Sequence, residues 1–466
     1  MRRRELLAAG LAAGAGAVLS PRRSAGEPGL VVRALEARPV RRRLLGREVE
    51  LWLYDGRLPG PPLVLEEGET LRLVFTNRLP EPTNLHFHGL RIPPGGRADN
   101  VFLEIPPGER FVYEWTAPVG EAGTYWYHPH RHGLIATQMW RGLAGGILVR
   151  GPHERDPDSE LARADDRLVV LRDLELAGDR PAPHEPRDWH TGKEGPWLLA
   201  DGLVAPVWRA RARLVRLRLV NAANARTLRL ARADGRPLVI AALDGHLLPA
   251  PVEVDELELA AAQRADLLIR MPRDAAVTLV ARPRHRGVPT PRLRNPFVLR
   301  LLPPPLHVPD VPLPRTLAGP LSPPAPPVRR RTLTLAMFTL DGRRYRHGRV
   351  DIRARAGTVE RWRVVNMGTM DHSFHLHTWF FRPVARNGRP WPFDCRLDTV
   401  DLRPGEVVEL DIPFVRETGR TVYHCHVAEH GDRGMMGTIE VGPALPWSGP
   451  VSSDAICAFP RRPAGR

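Results

Sequence analysis

The chain has 466 residues, which is too long for one ordinary domain and corresponds to about three domains of roughly 150 residues each. Its formal net charge of +16 suggests a nucleic-acid partner, but the arginines are scattered among apolar residues and no nucleic-acid motif is present, so we expect none. The 50 prolines and 41 glycines fit many short strands and turns better than long helices.

Residues 1–25 have the pattern of an export signal. Three arginines at positions 2–4 precede an Ala/Gly/Leu run, and paired arginines before a short apolar segment are typical of the twin-arginine route. The apolar run is too short to span a bilayer. We therefore expect a periplasmic or extracellular protein without stable membrane insertion; the alternative is a disordered basic tail.

The rest of the chain divides into three strand-rich blocks, which cover residues 26–150, 151–302 and 328–466. In each block short apolar runs alternate with turn residues. Residues 303–327 are very rich in proline, which excludes a central strand or a helix interior. We predict that this segment is an extended linker that crosses the surface.

The first and third blocks repeat each other. Each has an early strand that ends in an asparagine, Asn77 or Asn366, followed by a His-x-His cluster. Each then has a Pro-Gly-Glu turn and a Tyr-rich strand that leads to a second His-x-His. This internal repeat predicts an all-β protein of three similar β-sandwiches.

Ten of the 18 histidines lie in four short clusters. Residues i and i+2 of a strand point to the same face, so each His-x-His aims two imidazoles at one point. If the ends of the first and third blocks meet, eight imidazoles could hold three metal ions, and neutral imidazole suits copper. The clustered histidines are His86 and His88; His128 and His130; His372, His375 and His377; and His424, His426 and His430.

Cys425 lies between two of these histidines and therefore points to the opposite face of its strand. There it can be joined by His372, His430 and Met435, which is the ligand set of a blue-copper electron-transfer site. Such a strand separates an electron-accepting copper from a copper cluster by about 10 Å. A zinc site would not need ten histidines in four strands.

The four clusters resemble the copper-binding signatures of multicopper oxidases, and the resemblance covers nearly the whole chain after the export signal. In the middle block it rests on Arg218-Leu-Val-Asn-Ala-Ala223 and Gln263-Arg-Ala-Asp266. The resemblance implies three cupredoxin-like Greek-key β-sandwich domains, with blue copper in the third and no copper in the second. A trinuclear site would lie between the first and third domains.

The same resemblance implies four copper ions, one of type 1, one of type 2 and two of type 3. It assigns type 1 to His372, Cys425, His430 and Met435, type 2 to His86 and His375, and type 3 to His88, His128, His130, His377, His424 and His426. It also implies that Asp99 is a catalytic carboxylate near the trinuclear site. The alternative for Asp99 is a turn residue, because residues 95–100 have the composition of a loop.

The resemblance implies a laccase-like enzyme that oxidises diphenols, related phenols and aromatic amines in one-electron steps and reduces O₂ to water. Such a donor needs only to approach an exposed imidazole edge. One alternative is a metal-ion oxidase that acts on Cu(I), Fe(II) or Mn(II). The other is a non-catalytic cupredoxin scaffold, which would have lost copper ligands, whereas this chain keeps all of them. We expect a monomer whose partners are a small-molecule reductant and O₂.

The sequence departs from the family pattern in two places. Gly431 follows the last blue-copper histidine, where some bacterial members carry an acidic residue, and Asp432 stands next to it as a possible substitute. No Met-rich insert of the cuprous-oxidase kind is present among the eight methionines. The remaining cysteines, Cys395 and Cys457, could form a disulfide in an exported protein.

Overall fold

The computed structural model describes residues 29–444. The predicted export signal and Cys457 lie outside the described residues, whereas Cys395 is buried within them. Regular structure in this range is mainly β-strand, and its four helices are all short, the longest having seven residues. None of the helices in residues 29–444 is long and apolar enough to cross a membrane.

Residues 30–150 form the first sandwich, whose two sheets pack around an apolar core. Its elements are β1 (Leu30–Leu44), β2 (Arg47–Tyr54), β3 (Gly60–Glu66), β4 (Thr70–Asn77), β5 (His86–His88), β6 (Arg110–Thr116), β7 (Gly123–His128), α1 (Ile135–Arg141) and β8 (Gly145–Arg150). The sheets have the orders β2-β1-β4-β6 and β3-β8-β7-β5. Along β4 buried and half-buried residues alternate, as its apolar pattern predicts.

A short helix, α2 (Pro152–Arg155), leads to the second sandwich. Its elements are β9 (Asp165–Leu174), β10 (Leu176–Ala177), β11 (Arg180–Pro181), α3 (Asp188–Thr191), β12 (Trp197–Ala200), β13 (Val207–Arg209), β14 (Leu214–Asn221), β15 (Leu228–Arg232), β16 (Leu238–Leu243), β17 (His246–Val254), β18 (Leu257–Leu259), β19 (Arg264–Arg270), β20 (Val277–Arg282) and β21 (Phe297–Leu302). The two large sheets have the orders β12-β9-β14-β19-β16-β17 and β13-β21-β20-β15-β18.

The third sandwich follows the proline-rich segment. Its elements are β22 (Arg329–Ala336), β23 (Thr339–Leu340), β24 (Ile352–Arg355), β25 (Thr358–Asn366), β26 (His372–Leu376), β27 (Arg382–Arg386), β28 (Arg389–Pro390), β29 (Thr399–Leu402), β30 (Val407–Phe414), β31 (Gly419–Cys425), α4 (Ala428–Asp432) and β32 (Met436–Gly442). Its sheets have the orders β23-β22-β25-β30-β27-β28 and β24-β32-β31-β26-β29.

Residues 303–328 contain no strand or helix, as their proline content predicts. The segment is not confined to the surface, however. Val311 and Leu317 are buried against Leu214 and Leu268 of the second sandwich, and the Leu317 amide donates to the Pro249 carbonyl. Buried apolar contacts therefore fix a segment that composition alone describes as an extended surface linker.

The asparagine noted at the end of an early strand has the same role in all three sandwiches. The Nδ2 group of Asn77 donates to two backbone carbonyls, and so do those of Asn221 and Asn366. Each of these side chains is fully buried, so the paired hydrogen bonds satisfy an amide that would otherwise be costly to bury. The repeat seen in the first and third blocks thus extends to the middle block.

One apolar cluster joins the three sandwiches. Trp126 and Ile135 of the first sandwich pack with Val220 of the second and with Val422 and Met436 of the third. Burial of this shared surface holds the strands that carry the histidine clusters at a fixed separation.

Candidate metal centres

Two pairs of neighbouring strands carry most of the clustered histidines. In the first sandwich β5 and β7 are antiparallel, and His86 lies opposite His128. In the third sandwich β26 and β31 are antiparallel, and His375 lies opposite His424. Because residues directly opposite in a sheet share a face, the two histidines of each of these opposed pairs lie on one side of their sheet.

These two faces meet at the contact between the first and third sandwiches. The rings of His86 and His377 stack with their centroids 3.8 Å apart, and those of His88 and His375 do the same at 3.8 Å. The structure thus brings eight imidazoles into one buried group, here called the eight-histidine cluster: His86, His88, His128, His130, His375, His377, His424 and His426.

Several imidazoles of the cluster have a buried ring nitrogen without a hydrogen-bond partner. In most of them the other ring nitrogen is hydrogen-bonded to a carboxylate or a carbonyl, which fixes the ring and leaves one lone pair available. A buried lone pair of this kind is costly unless it binds something, and a metal ion is its natural partner. The unpartnered atoms are His86 Nε2, His88 Nδ1, His128 Nε2, His375 Nε2, His377 Nδ1 and both nitrogens of His426.

Three imidazoles of the cluster converge through their Nε2 atoms. His424 Nε2 lies 3.2 Å from His130 Nε2 and 3.0 Å from His377 Nε2. The Nδ1 atom of His424 faces the carbonyl oxygen of Cys425 at 3.0 Å, so Nδ1 carries the proton and Nε2 presents a lone pair to the centre of this group. The donor set and its convergence fit a copper ion.

Burial keeps these imidazoles neutral. It holds eight pKa values well below the ordinary value, those of His86, His88, His128, His130, His372, His377, His424 and His426. It also lowers the pKa of His430 to about 4. For most of them the charges of neighbouring histidines act in the same direction. Neutral imidazole is the form that binds a metal ion, so no proton competes with copper near neutral pH.

The second group of ligands lies on the opposite face of β31 and is here called the Cys425 site. The Cys425 Sγ atom is 3.6 Å from His372 Nδ1 and 3.7 Å from His430 Nδ1, and the two Nδ1 atoms are 3.3 Å apart. All three residues are fully buried. Burial raises the pKa of the Cys425 thiol to about 12, so a metal ion must displace its proton on binding.

The two methionines after Cys425 lie on different sides. Met436 pairs directly with His424 across the sheet, so its side chain points to the histidine-cluster face. Met435 comes one residue earlier, its carbonyl accepts from the Cys425 amide at 3.0 Å, and its side chain is fully buried. The alternation of the strand therefore favours Met435 for the Cys425 site.

Asp99 lies directly beside the eight-histidine cluster, as expected. Both carboxylate oxygens lie 2.9 Å from His86 Nδ1, and Oδ1 also accepts from the Phe87 amide at 3.0 Å. The second oxygen is 3.8 Å from His377 Nδ1. Burial raises the pKa of Asp99 to about 7 although the Phe87 amide opposes the shift.

A second buried carboxylate, Asp398, was not identified from the sequence. It accepts from His88 Nε2 at 3.0 Å and from Arg264 of the second sandwich at 2.6 and 2.8 Å. Burial opposes its ionisation, but the Arg264 guanidinium overcomes this and holds the pKa of Asp398 well below its ordinary value. The motif that contains Arg264 was recognised, but no sequence signal placed it beside Asp398 or His88.

Asp432 is not directed at the eight-histidine cluster. Its two carboxylate oxygens accept the Gly133 and Ala136 amides at the start of α1 in the first sandwich, at 2.7 and 2.8 Å. Its neighbour Glu429 accepts from Asn224 and faces His184, both in the second sandwich. These carboxylates bind α4 to the other two sandwiches. Asp432 therefore does not occupy the place of the acidic residue that some family members carry at the position of Gly431.

The imidazoles of the Cys425 site are covered, contrary to the expectation of an exposed edge. His430 Nε2 donates to the backbone carbonyl of His190 at 2.9 Å. The Nε2 atom of His372 is buried under Gly368, where a Cβ would approach it to 2.8 Å. Segments from the second and third sandwiches thus separate both ligands from solvent, and the sequence around the ligands does not reveal this.

Comparisons with known proteins agree with this arrangement. Two family models, both described as multicopper oxidase, match residues 37–154 and 321–444. The multicopper oxidase Mco of Staphylococcus haemolyticus is 27% identical over 398 residues, which cover 83% of each chain. The cell division protein FtsP of Edwardsiella tarda is 31% identical over 422 residues, which cover 86% of this chain and 87% of that protein.

Solved structures give the same result. A multicopper oxidase from Campylobacter jejuni, described as a metallo-oxidase, superposes with a TM-score of 0.82 at 27% identity and covers 91% of this chain and 94% of its own. A laccase from Pediococcus acidilactici has a TM-score of 0.80 at 27% identity and covers 91% of each chain. These neighbours confirm the predicted all-β fold of cupredoxin-like sandwiches.

The contacts of Asp398 generate a prediction about metal retention. Asp398→Ala should weaken copper binding by the eight-histidine cluster about 10- to 100-fold, because His88 loses the carboxylate that orients it and Arg264 loses its two shortest hydrogen bonds to a carboxylate. Copper content after dialysis against buffers of graded free Cu(II) measures this loss. Asp411→Ala is the matched control, since Asp411 is a buried, arginine-paired carboxylate of the same sandwich. Equal copper retention in the two variants would contradict the role of Asp398.

Proposed function

The chain belongs to the multicopper oxidase family, and on that premise we propose that it is a laccase-like enzyme that oxidises phenols and aromatic amines in one-electron steps and reduces O₂ to water. The observation that carries the proposal is the complete set of ten histidines and one cysteine, buried and gathered in two centres on opposite faces of β31. One covalent segment, His424-Cys425-His426, joins the two centres.

The ligands divide as the family resemblance implies. We assign the blue type 1 copper to His372, Cys425 and His430 with Met435 as the axial ligand, and the type 2 copper to His86 and His375. The remaining six histidines would hold the two type 3 coppers. The group His130, His377 and His424 would hold one of them, and His88, His128 and His426 the other.

Copper bound in these centres would supply the redox chemistry, accepting single electrons from the reductant and delivering them in sets of four to O₂. The protein residues have separate tasks. The backbone of His424-Cys425-His426 provides the short covalent route between the centres. Asp99, whose pKa is raised to about 7, holds a proton near neutral pH beside the ligands His86 and His377 and can give it to the reduction of O₂.

A non-catalytic scaffold is less well supported, although FtsP is among the relatives. A protein that acts only by docking gains nothing from buried imidazoles whose lone pairs have no partner, because each costs about 1–3 kcal/mol of stability. Every ligand position in this chain keeps its histidine, cysteine or methionine. The retained ligand set favours a catalytic protein.

Metal-ion oxidation is the second candidate, and two methionines favour it. Met367 and Met337 are both exposed, at 66% and 36%, and each adjoins a residue that touches a ligand of the Cys425 site. Met367 precedes Gly368, which covers His372, and Met337 precedes Phe338, whose ring is 5.8 Å from that of His430. Thioethers are soft ligands that favour Cu(I), so a cuprous donor could bind there.

Steady-state kinetics test the proposed substrate class. We expect kcat/KM for a methoxyphenol to exceed that for stabilised Cu(I) in the same buffer, with O₂ uptake recorded for both donors. Cys425→Ser should abolish both activities and the blue absorption, because the thiolate ligand is removed. If Cu(I) is preferred by more than about tenfold, the protein is a metal-ion oxidase and the proposal is wrong.

The axial ligand can be tested separately. Met435→Leu should raise the reduction potential of the blue copper and leave its colour, because a weak sulfur donor that stabilises Cu(II) is lost. A redox titration followed by absorption measures the shift. Met436→Leu is the matched control and should leave the potential unchanged. The opposite pattern would show that Met436 is the axial ligand.

Asp99→Asn should slow the two half-reactions unequally. Reoxidation of the reduced enzyme by O₂ consumes protons and should be slowed, whereas reduction by the donor should change little. Stopped-flow absorption records both steps on the same preparation. Equal losses in the two steps would assign Asp99 a structural role, such as orienting His86.

A further inference from the structure

The cover over His430 determines how an electron can reach the Cys425 site. The hydrogen-bond partner of His430 Nε2 is the His190 carbonyl, and a carbonyl oxygen can only accept a hydrogen bond. Nε2 therefore carries the proton, and Nδ1 faces Cys425 and His372 as a lone pair. A donor cannot touch this imidazole, so its electron must pass through the covering residues.

The cover is a firmly held part of the second sandwich. It consists of α3 and the residues around it, and Lys193 anchors it by donating to the Asp188 carboxylate and the Pro183 carbonyl. Glu194, three residues after the end of α3, pairs with the buried guanidinium of Arg286. The His190 carbonyl is thus positioned by buried ion pairs rather than by a loose loop.

His190 connects this buried contact to the surface. Its own side chain is exposed, and its Nδ1 lies 3.0 Å from the Pro186 carbonyl. Because that carbonyl can only accept, Nδ1 carries the proton and Nε2 of the neutral ring presents a lone pair. The His190 ring also contacts the Phe338 ring edge to face at 5.3 Å, and Phe338 in turn contacts His430.

We propose that His190 is the residue that binds the phenolic donor and accepts its proton. This inference rests on the proposed function. The phenol donates its hydroxyl hydrogen bond to His190 Nε2; the O–H bond breaks and an N–H bond forms on His190. The electron leaves through the His190 main chain and its hydrogen bond to His430, and the type 1 copper that the Cys425 site would hold would accept it. The phenol becomes a phenoxyl radical, and His190 later releases the proton to water.

The surroundings of His190 suit a neutral aromatic donor better than a metal cation. The Arg344 guanidinium lies 5.6 Å from the centre of the Phe338 ring, and that of Arg433 lies 4.7 Å from the centre of the Trp189 ring. Two fixed positive charges beside the contact oppose the approach of a metal cation, whereas the half-buried ring of Trp189 can pack against a phenol.

Substitution of His190 tests the proposal because the carbonyl over His430 belongs to the backbone and is retained. His190→Ala should leave the blue absorption and reduction potential unchanged. It should slow anaerobic bleaching of the blue colour by a methoxyphenol at least about tenfold, since positioned bases contribute 10²–10⁴-fold. Bleaching by ferrocyanide, which has no proton to lose, should change little. Equal slowing with both donors would overturn the proposal.

Two further variants separate the contributions. His190→Phe keeps a ring against Phe338 but has no proton acceptor, so it should be as slow with the phenol as His190→Ala. Recovery of the rate by His190→Phe would overturn the proton-acceptor role. His307→Ala, which removes an exposed histidine of the proline-rich segment, is the matched control and should leave both rates unchanged.

A binding measurement separates this inference from the proposed function. In the anaerobic, fully reduced holoenzyme a methoxyphenol cannot be oxidised, and it should cause a saturable shift of the His190 ring resonance in NMR spectra but no shift of His307. Absence of the shift would overturn docking at His190. A protein that shows the shift but never oxidises phenols would refute the proposed function alone, and phenol oxidation unaffected by His190→Ala would refute the inference alone.

Discussion

The burial of eight imidazoles at one contact between sandwiches is the constraint on which the rest of the structure depends. Their unpartnered nitrogens are costly to bury, and repulsion between neighbouring rings and burial together keep the rings neutral. The shared apolar cluster around Trp126 and Val422 offsets part of this cost by holding the sandwiches together. Metal binding would remove the remaining cost of burying these nitrogens, so metal occupancy and folding stability would be coupled.

The middle sandwich contributes more than spacing. Its Arg264 reaches across to Asp398 and thereby fixes the carboxylate that orients His88. Its Asp244 accepts the backbone amides of Asp398 and Thr399, which places the same carboxylate from a second direction. A sandwich that contributes none of the proposed copper ligands thus helps to position proposed ligands in both of the others, and its His190 carbonyl also covers His430 at the Cys425 site.

The local periodicity of strands explains what could be predicted from the sequence. A His-x-His pair needs only the two-residue period of a strand to share a face, and the same rule puts Cys425 opposite His424. The positions of Asp398 and Arg264 depend instead on contacts between residues 134 positions apart. The His190 carbonyl lies 240 positions from His430 in the chain. No pattern within one strand encodes such contacts. The hydrogen bonds of Asp432 to amides at the start of α1 were not predicted for the same reason.

The proposed function implies that proton release and proton uptake occur on opposite sides of β31. In the proposed reaction a phenol would lose its proton at the surface, on the side of β31 that carries Cys425, whereas O₂ reduction would consume protons on the other side, where Asp99 lies. The fully buried segment His424-Cys425-His426 offers a covalent path for electrons between these sides. On that proposal the protons for O₂ would arrive through groups around Asp99, and the rate of their supply could be altered without altering the donor site.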